Sequence, residues 1–180
     1  MRVISGKYKG KLLNGFDIEG TRPTMDRVKE SLFGSIQNYL KNSIVLDLFA
    51  GSGSLGIEAL SNGSKTCYFV DNNNKLIDIL NKNTVNMDEE IIILKKDYRE
   101  ALEYFFNKKI RFDIIFLDPP YKLNLINKSI ELIEKYNLLN DNGIIVCEYE
   151  QEIFVSNYTI IKEKKYGNKY IKIYKNIKED

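Results

Sequence analysis

Apolar and polar positions follow two rhythms along this chain. Between residues 44 and 149, short apolar runs alternate with stretches in which apolar residues recur at three- and four-residue spacing. The runs at 44–49, 66–71, 91–94, 112–117 and 143–149 predict strands. They are apolar on both faces, which suits a parallel sheet covered by helices on each side. The stretches at 54–61, 73–85, 97–106 and 125–138 predict the covering helices. An earlier helix is predicted over 25–40. Val28, Leu32, Phe33, Ile36 and Leu40 form its apolar stripe, and Asp26, Arg27, Lys29 and Glu30 fall on its other faces. Thr24 is its expected N-cap, because Pro23 disfavours helix at Arg22. Residues 158–164 and 169–175 are β-rich and joined by a Gly-Asn turn, so they predict an antiparallel hairpin. Residues 2–13 alternate loosely around Gly6 and Gly10 and predict a short basic hairpin. The fold class is therefore α/β: a doubly wound, mostly parallel seven-stranded sheet of Rossmann-like type ending in an antiparallel hairpin. Residues 1–20 form a basic arm, and residues 21–180 form the main domain.

Composition narrows this picture. A chain of 180 residues that is 43% hydrophobic and 29% charged is long enough for a real core. No apolar run reaches bilayer-spanning length, and the N-terminus lacks a signal-peptide core, so a cytoplasmic, monomeric protein is expected. The chain contains no histidine. That removes Ser-His and Cys-His catalysis and most zinc sites, and no metal is expected. Cys67 and Cys147 fall inside predicted strands, as small buried hydrophobes. Net charge is +2 but unevenly spread: residues 1–41 and 162–180 each carry +4, leaving −6 for the middle. A basic periphery suits a polyanionic partner. Solubility lysines are the plainer alternative, and for the lysines of 162–175 a merely charged hairpin is the preferred reading.

The run Leu46-Asp47-Leu48-Phe49-Ala50-Gly51-Ser52-Gly53-Ser54-Leu55-Gly56 is a strand entering a glycine loop and then a helix. Such loops let backbone approach a ligand and expose the free N–H groups of a helix start. Gly51-x-Gly53-x-x-Gly56 with Asp71 twenty residues on also fits the dinucleotide fingerprint. In a doubly wound sheet, ligands sit at the carboxyl ends of the strands. Those ends here carry Asp47 with Phe49–Gly53, Asp71-Asn72, Asp97-Tyr98 and Asp118–Tyr121. Four acids would repel a pyrophosphate. They suit a sulfonium amino acid with a ribose, that is, S-adenosylmethionine. Asp47 would face its amino-acid end, Asp71 would accept from both ribose hydroxyls, and Asp97 would accept from the adenine amine. Ala50, Gly51, Ser52 and Gly53 would give room to the methionine portion. For each acid the plainer reading is a helix N-cap, and Asp97 fits that reading well.

Asp118-Pro119-Pro120-Tyr121 ends an apolar strand. Two prolines fix the backbone and remove two N–H donors. A carboxylate plus a nearby carbonyl then makes a pair of acceptors for an exocyclic amine, and Tyr121 offers a face for a base. A strand-ending turn with a surface tyrosine is the plainer alternative.

With these residues in view, the chain resembles the amino-methylating class I S-adenosylmethionine-dependent methyltransferases. More narrowly, it resembles the RsmD family of 16S ribosomal RNA guanine-N2 methyltransferases. The start Arg2-Val-Ile-Ser-Gly-Lys-Tyr-Lys-Gly-Lys-Leu and the block Thr21-Arg22-Pro23-Thr24-Met25-Asp26-Arg27-Val28-Lys29-Glu30-Ser31-Leu32-Phe33 carry the narrower likeness, together with residues 46–60 and 118–121. The likeness runs from residue 2 to about 175, and residues 122–157 match no motif. It implies direct methyl transfer to an amine of a flipped or unpaired base, held by Asp118 and the Pro119 carbonyl, with S-adenosylhomocysteine as product. It also implies ribosomal RNA or the small-subunit particle as partner, gripped by Arg2, Lys7, Lys9, Lys11, Arg22 and Arg27. A DNA adenine-N6 methyltransferase would use the same acceptors, but 180 residues leave no room for a target-recognition domain. An NAD-dependent oxidoreductase fits Gly51–Gly56 and Asp71, against Asp47, Asp118–Tyr121 and the terminal hairpin. A non-catalytic RNA-binding protein would not need the intact acids and prolines.

Overall fold

The computed structural model describes residues 1–15, 22–120, 124–150 and 157–177, without the side chains of 22–25. The elements are α1 (Arg22–Leu40), β1 (Ile44–Asp47), α2 (Ser54–Ser61), β2 (Thr66–Asp71), α3 (Asn74–Thr84) and β3 (Glu90–Lys95). They continue with α4 (Tyr98–Lys108), β4 (Phe112–Leu117), α5 (Leu125–Lys135), β5 (Leu139–Tyr149), β6 (Thr159–Tyr166) and β7 (Lys169–Lys175). One seven-stranded sheet runs in the order β3-β2-β1-β4-β5-β7-β6. The first five strands are parallel, and β7 is antiparallel to both of its neighbours.

Period-two alternation splits the strand side chains between two cores. Val45, Ile114, Phe116, Ile144 and Val146 face one way, under Phe33 and Ile36 of α1, Ile57 and Leu60 of α2 and Leu80 of α3. Leu46, Ile115, Leu117, Ile145 and Cys147 face the other way, under Leu102 and Phe105 of α4 and Ile126, Ile130 and Ile133 of α5. Cys67 belongs to the first core and Cys147 to the second, and both are free thiols. No described helix is long and apolar enough to cross a membrane.

Three sequence expectations change. Helix α1 starts at Arg22 rather than behind an N-cap at Thr24. Pro23 falls in its first turn, where a missing N–H has no intrahelical partner to lose. Helix α5 stops at Lys135 rather than 138, with Asn137 at φ 51°, and β5 begins early, at Leu139. Lys29 is not on an outward face of α1: it is 5% exposed and its Nζ lies 3.0 Å from Glu58 of α2, itself 0% exposed.

That pair holds the N-terminal arm. Glu58 accepts from the backbone N–H of Ile4 and of Ser5, each at 2.9 Å, and from the Ser5 hydroxyl. Lys29 donates to the Arg2 carbonyl at 2.7 Å. The arm closes on itself through one strand-like bridge, Arg2 to Leu12, rather than a full hairpin ladder. Gly6, at φ 76°, lies so close to Ser61 that a Cβ there would come within 1.8 Å of its carbonyl oxygen.

Candidate active site

Strand order reverses between β1 and β4, which opens a crevice at the carboxyl ends of the parallel strands. A cavity of about 710 Å³ occupies that place. Phe49 follows β1, Asp71, Asn72 and Asn73 end β2, Lys96 to Arg99 follow β3, and Asp118, Pro119 and Pro120 follow β4. Leu125 and Lys128 of α5 complete the wall, with Leu48 and Leu76. Of the residues expected to bind a cofactor, Phe49, Asp71, Asn72, Asp97 and Tyr98 line this cavity, together with Asp118, Pro119 and Pro120. Asp47, Ala50, Gly51, Ser52 and Gly53 do not. Tyr121 lies outside the described residues, as does the Arg22 side chain.

Each acid has a structural task as well. Asp47 lies beneath the glycine loop, and its Oδ2 accepts from the N–H of Gly56 at 3.0 Å. Gly53, the N-cap of α2, brings no side-chain oxygen, so this strand carboxylate satisfies an open N–H of the first turn in its place. Burial pushes Asp47 up to about 7, the Gly56 N–H opposes the shift, and the charge of Asp71 adds to it. A sealed, partly protonated Asp47 is thus a weaker barrier to phosphate than its sequence position implies.

Asp71 ends β2 with Oδ2 on the N–H of Gly51 and Oδ1 on that of Asn73, both at 2.9 Å. It fixes the loop and the entry to α3 from inside the cavity wall. Asp97 caps α4: its Oδ1 accepts from the Arg99 N–H at 3.0 Å and from Arg99 Nε at 2.8 Å. The Arg99 guanidinium holds the Asp97 carboxyl below the usual carboxylate range. Phe49 and Tyr98 pack ring to ring at 5.7 Å and form the apolar part of the wall.

Asp118 is half-buried at the mouth of the proline turn. Burial and the nearby Glu148 carboxylate raise it well above the usual range, while the Lys169 ammonium pulls it back. Lys169, at the start of β7, is in contact with Glu148 at 2.5 Å, so the hairpin brings a cation near Asp118 at the end of β4.

The glycines divide by task. A Cβ on Gly51 would meet nothing within 4 Å, which leaves open space beside the loop. A Cβ on Gly53 would come within 2.3 Å of Leu80, and one on Gly56 within 2.3 Å of Phe69, so these two serve helix–sheet packing. The residues fit S-adenosylmethionine: acceptors at the ends of β2 and β3, apolar rings between them, and the Asp118 carboxylate after β4.

Sequence reasoning missed Arg99, Lys96, Asn73, Leu48, Leu76, Leu125 and Lys128. Arg99 sits two residues after the capping acid, and Leu125 and Lys128 share one helical face, so local spacing carried a signal for these three. The expected RNA-gripping residues scatter. Lys7 pairs with Asp88 at 2.9 Å and Glu89 at 3.0 Å, Lys11 donates to the Val85 carbonyl, and Arg2 lies 3.5 Å from Asp26. Asp88 and Glu89 precede β3, so Lys7 lies at the amino end of the sheet, opposite the cavity. It is not part of a free basic face near the site. Lys9 and Arg27 are exposed and make no ion pair with a described residue.

The sheet order and the cavity with its strand-end acids define a class I S-adenosylmethionine-dependent methyltransferase fold. The chain belongs to the family described as Conserved hypothetical protein 95, whose model matches residues 1–175 and which takes in the RsmD proteins. It is 40% identical to "Putative rRNA methyltransferase YlbH" of Bacillus subtilis, over 97% of this chain and 98% of that one. It is 37% identical to Ribosomal RNA small subunit methyltransferase D of Haemophilus influenzae, over 98% and 94%. The solved structure of "Putative methyltransferase yhhF" from Escherichia coli superposes with a TM-score of 0.86 at 30% identity, covering 99% of both chains. The solved structure of "SMU.776, a putative methyltransferase complexed with SAH" shares the fold at a TM-score of 0.60 and 17% identity, over 79% of this chain and 49% of that one.

Proposed function

We propose that this protein transfers a methyl group from S-adenosylmethionine to the exocyclic N2 amine of a guanine in small-subunit (16S) ribosomal RNA. The reading puts it in the cytoplasm, acting as a monomer, with residues 1–20 as an arm on a methyltransferase domain of residues 21–180. The observation that carries it is one cavity with acceptors for a nucleoside at the ends of β2 and β3 and Asp118-Pro119-Pro120 at its far side. The full-length likeness to a small-subunit rRNA methyltransferase supports the choice of substrate.

When bound, S-adenosylmethionine supplies an electrophilic methyl on a sulfonium. The chain's own residues do the rest. Asp71 and Asp97 accept hydrogen bonds from the nucleoside and fix its orientation. Phe49 and Tyr98 exclude water along the apolar wall. The Asp118 carboxylate and the Pro119 carbonyl accept from the target amine. They favour a more tetrahedral nitrogen and stabilise the positive charge that grows on it. Positioning against the methyl contributes much of the remaining rate.

Asp118 stabilises the amine's growing positive charge fully only when it is ionised. Its raised pKa means that activity climbs with pH through a value above the ordinary carboxylate range and falls on acidification. Tritiated methyl transfer to naked small-subunit rRNA, to assembled small-subunit particles and to DNA tests the reading, with nucleoside analysis of the product. N2-methylguanosine from either RNA form is expected. N6-methyladenine, or transfer to DNA alone, overturns it. Asp118→Asn should lower turnover by about 10²–10³-fold while calorimetry shows cofactor affinity retained.

A further inference from the structure

The C-terminal hairpin carries charge that the reaction chemistry does not use. Helix α1 presents Ser31, Ser35 and Tyr39 toward the hairpin, and the exposed Arg27 continues that i, i+4 row one turn earlier. Lys164 Nζ and the Tyr166 hydroxyl both meet Ser31 Oγ, at 3.0 and 2.6 Å, and Lys162 Nζ meets Ser35 Oγ at 2.5 Å. Lys175 lies over the Tyr39 ring at 5.6 Å. On the other face of β6, Lys165 lies over the Tyr170 ring at 5.3 Å. Hydroxyls and rings leave an ammonium its full charge. Among the described residues of β6 the one acid is Glu163, which is taken up by Lys172 and the Tyr149 hydroxyl.

Position adds to charge. Tyr149, at the carboxyl end of β5, pairs with Tyr170, so the β6–β7 turn stands on the same rim of the sheet as Asp118. The first turn of α1 rises to that rim too, because α1 runs down toward the start of β1. From that rim the row Arg27, Lys164, Lys162 and Lys175 descends along the α1–β6 seam. Successive same-face lysines on β6 stand about 6.5–7 Å apart by strand geometry. Lysines on an edge strand also guard against edge pairing, a plainer role. That role needs no seam of hydroxyls and no continuation by Arg27 on a different element.

We infer that the α1–β6 seam, with Lys162 and Lys164 at its centre, docks the RNA strand flanking the target nucleotide by its phosphates. This rests on the reading of the protein as an RNA methyltransferase. The test is binding of a fluorescein-labelled small-subunit rRNA transcript by anisotropy across a salt series, for the wild type, K162E/K164E and K162R/K164R. Two phosphate contacts predict that the charge-reversed variant loses affinity at least about tenfold and that its log–log salt slope shrinks by about 1.5–2. The arginine variant should bind like wild type. Calorimetric affinity for S-adenosylmethionine and the thermal midpoint should match wild type in both variants. Unchanged RNA affinity and slope in K162E/K164E overturn the inference. So does a loss seen only on assembled particles, which would assign the seam to a ribosomal protein, or a change confined to aggregation. Wild-type methyl transfer to rRNA is measured alongside. Its absence from both naked rRNA and assembled small-subunit particles overturns the underlying reading, whereas its presence on either with unchanged variant binding overturns the seam alone.

Discussion

Residues 1–41 and residues 162–180 each carry a net charge of +4, yet their lysines meet different chemistry. In the arm, Lys7 is held between Asp88 and Glu89, and the Tyr8 hydroxyl donates to Glu89 as well. Deeper in, Lys29 is shut into a buried pair with Glu58. On the hairpin, Lys162 and Lys164 meet serine hydroxyls, and Lys164 and Lys165 each lie over an aromatic ring. Equal charge counts therefore hide a difference: Lys7 and Lys29 are spent on holding the arm, as Lys169 and Lys172 are on the hairpin, whereas Lys162, Lys164 and Lys165 meet no carboxylate among the described residues. Charge bookkeeping along a sequence locates cations but does not say which are already neutralised.

The anchor of the arm is Glu58. Glu58→Ala leaves Lys29 buried without its carboxylate and frees the N–H groups of Ile4 and Ser5. Urea denaturation should show a loss of about 3–5 kcal/mol, and the arm should become an early site of proteolysis. The charge-free pair Lys29→Met with Glu58→Leu should regain only the share lost to the unpaired Lys29 charge, because leucine leaves the Ile4 and Ser5 N–H groups without an acceptor. An unchanged midpoint in Glu58→Ala would mean the arm is not anchored there. Glu163→Ala is the matching change on the hairpin. Glu163 is 46% exposed, so water can replace it beside Lys172. The cost should be smaller, about 1–3 kcal/mol, and equal costs would erase the contrast between the two ends. The smallest effect is expected from Lys7→Ala with Lys9→Ala. RNA affinity should drop by less than in K162E/K164E, and the salt slope should change by about 1 or less, since Lys7 is already paired. A larger drop than in K162E/K164E would return the RNA surface to the arm.

The strands and the break after β4 were legible because local pattern determines them. Short runs apolar on both faces mark the parallel strands, and Asp118-Pro119-Pro120, which removes two N–H donors, fixes where β4 stops. The start of α1 was misread because Pro23 breaks a helix interior but suits a helix start, and the sequence does not say which position it holds. Lys29 was misread because a charged residue in an amphipathic pattern points outward by default. Its partner, Glu58, sits 29 positions on in a different helix. The site divides in the same way. Asp71, Asp97 and Asp118 were found because strand ends converge in this topology. The role of Asp47 shifted because the unpaired N–H of Gly56 claims its oxygen, a demand visible only once α2 is placed against β1. Gly53 and Gly56 look like ligand glycines in the motif, but Leu80 and Phe69 occupy the space a side chain would need.

The two buried thiols provide a way to watch this protein breathe. Cys67 lies under α2, against Gly56, and Cys147 lies under the α4–α5 layer. Burial raises the pKa of both, so neither reacts while its cover is in place. A thiol reagent in native buffer reaches each cysteine only when its own covering layer lifts. The two labelling rates, separated by peptide mass, therefore report the opening of each side of the sheet independently. The chain carries a matched pair of native reporters, one per layer, with no residue introduced.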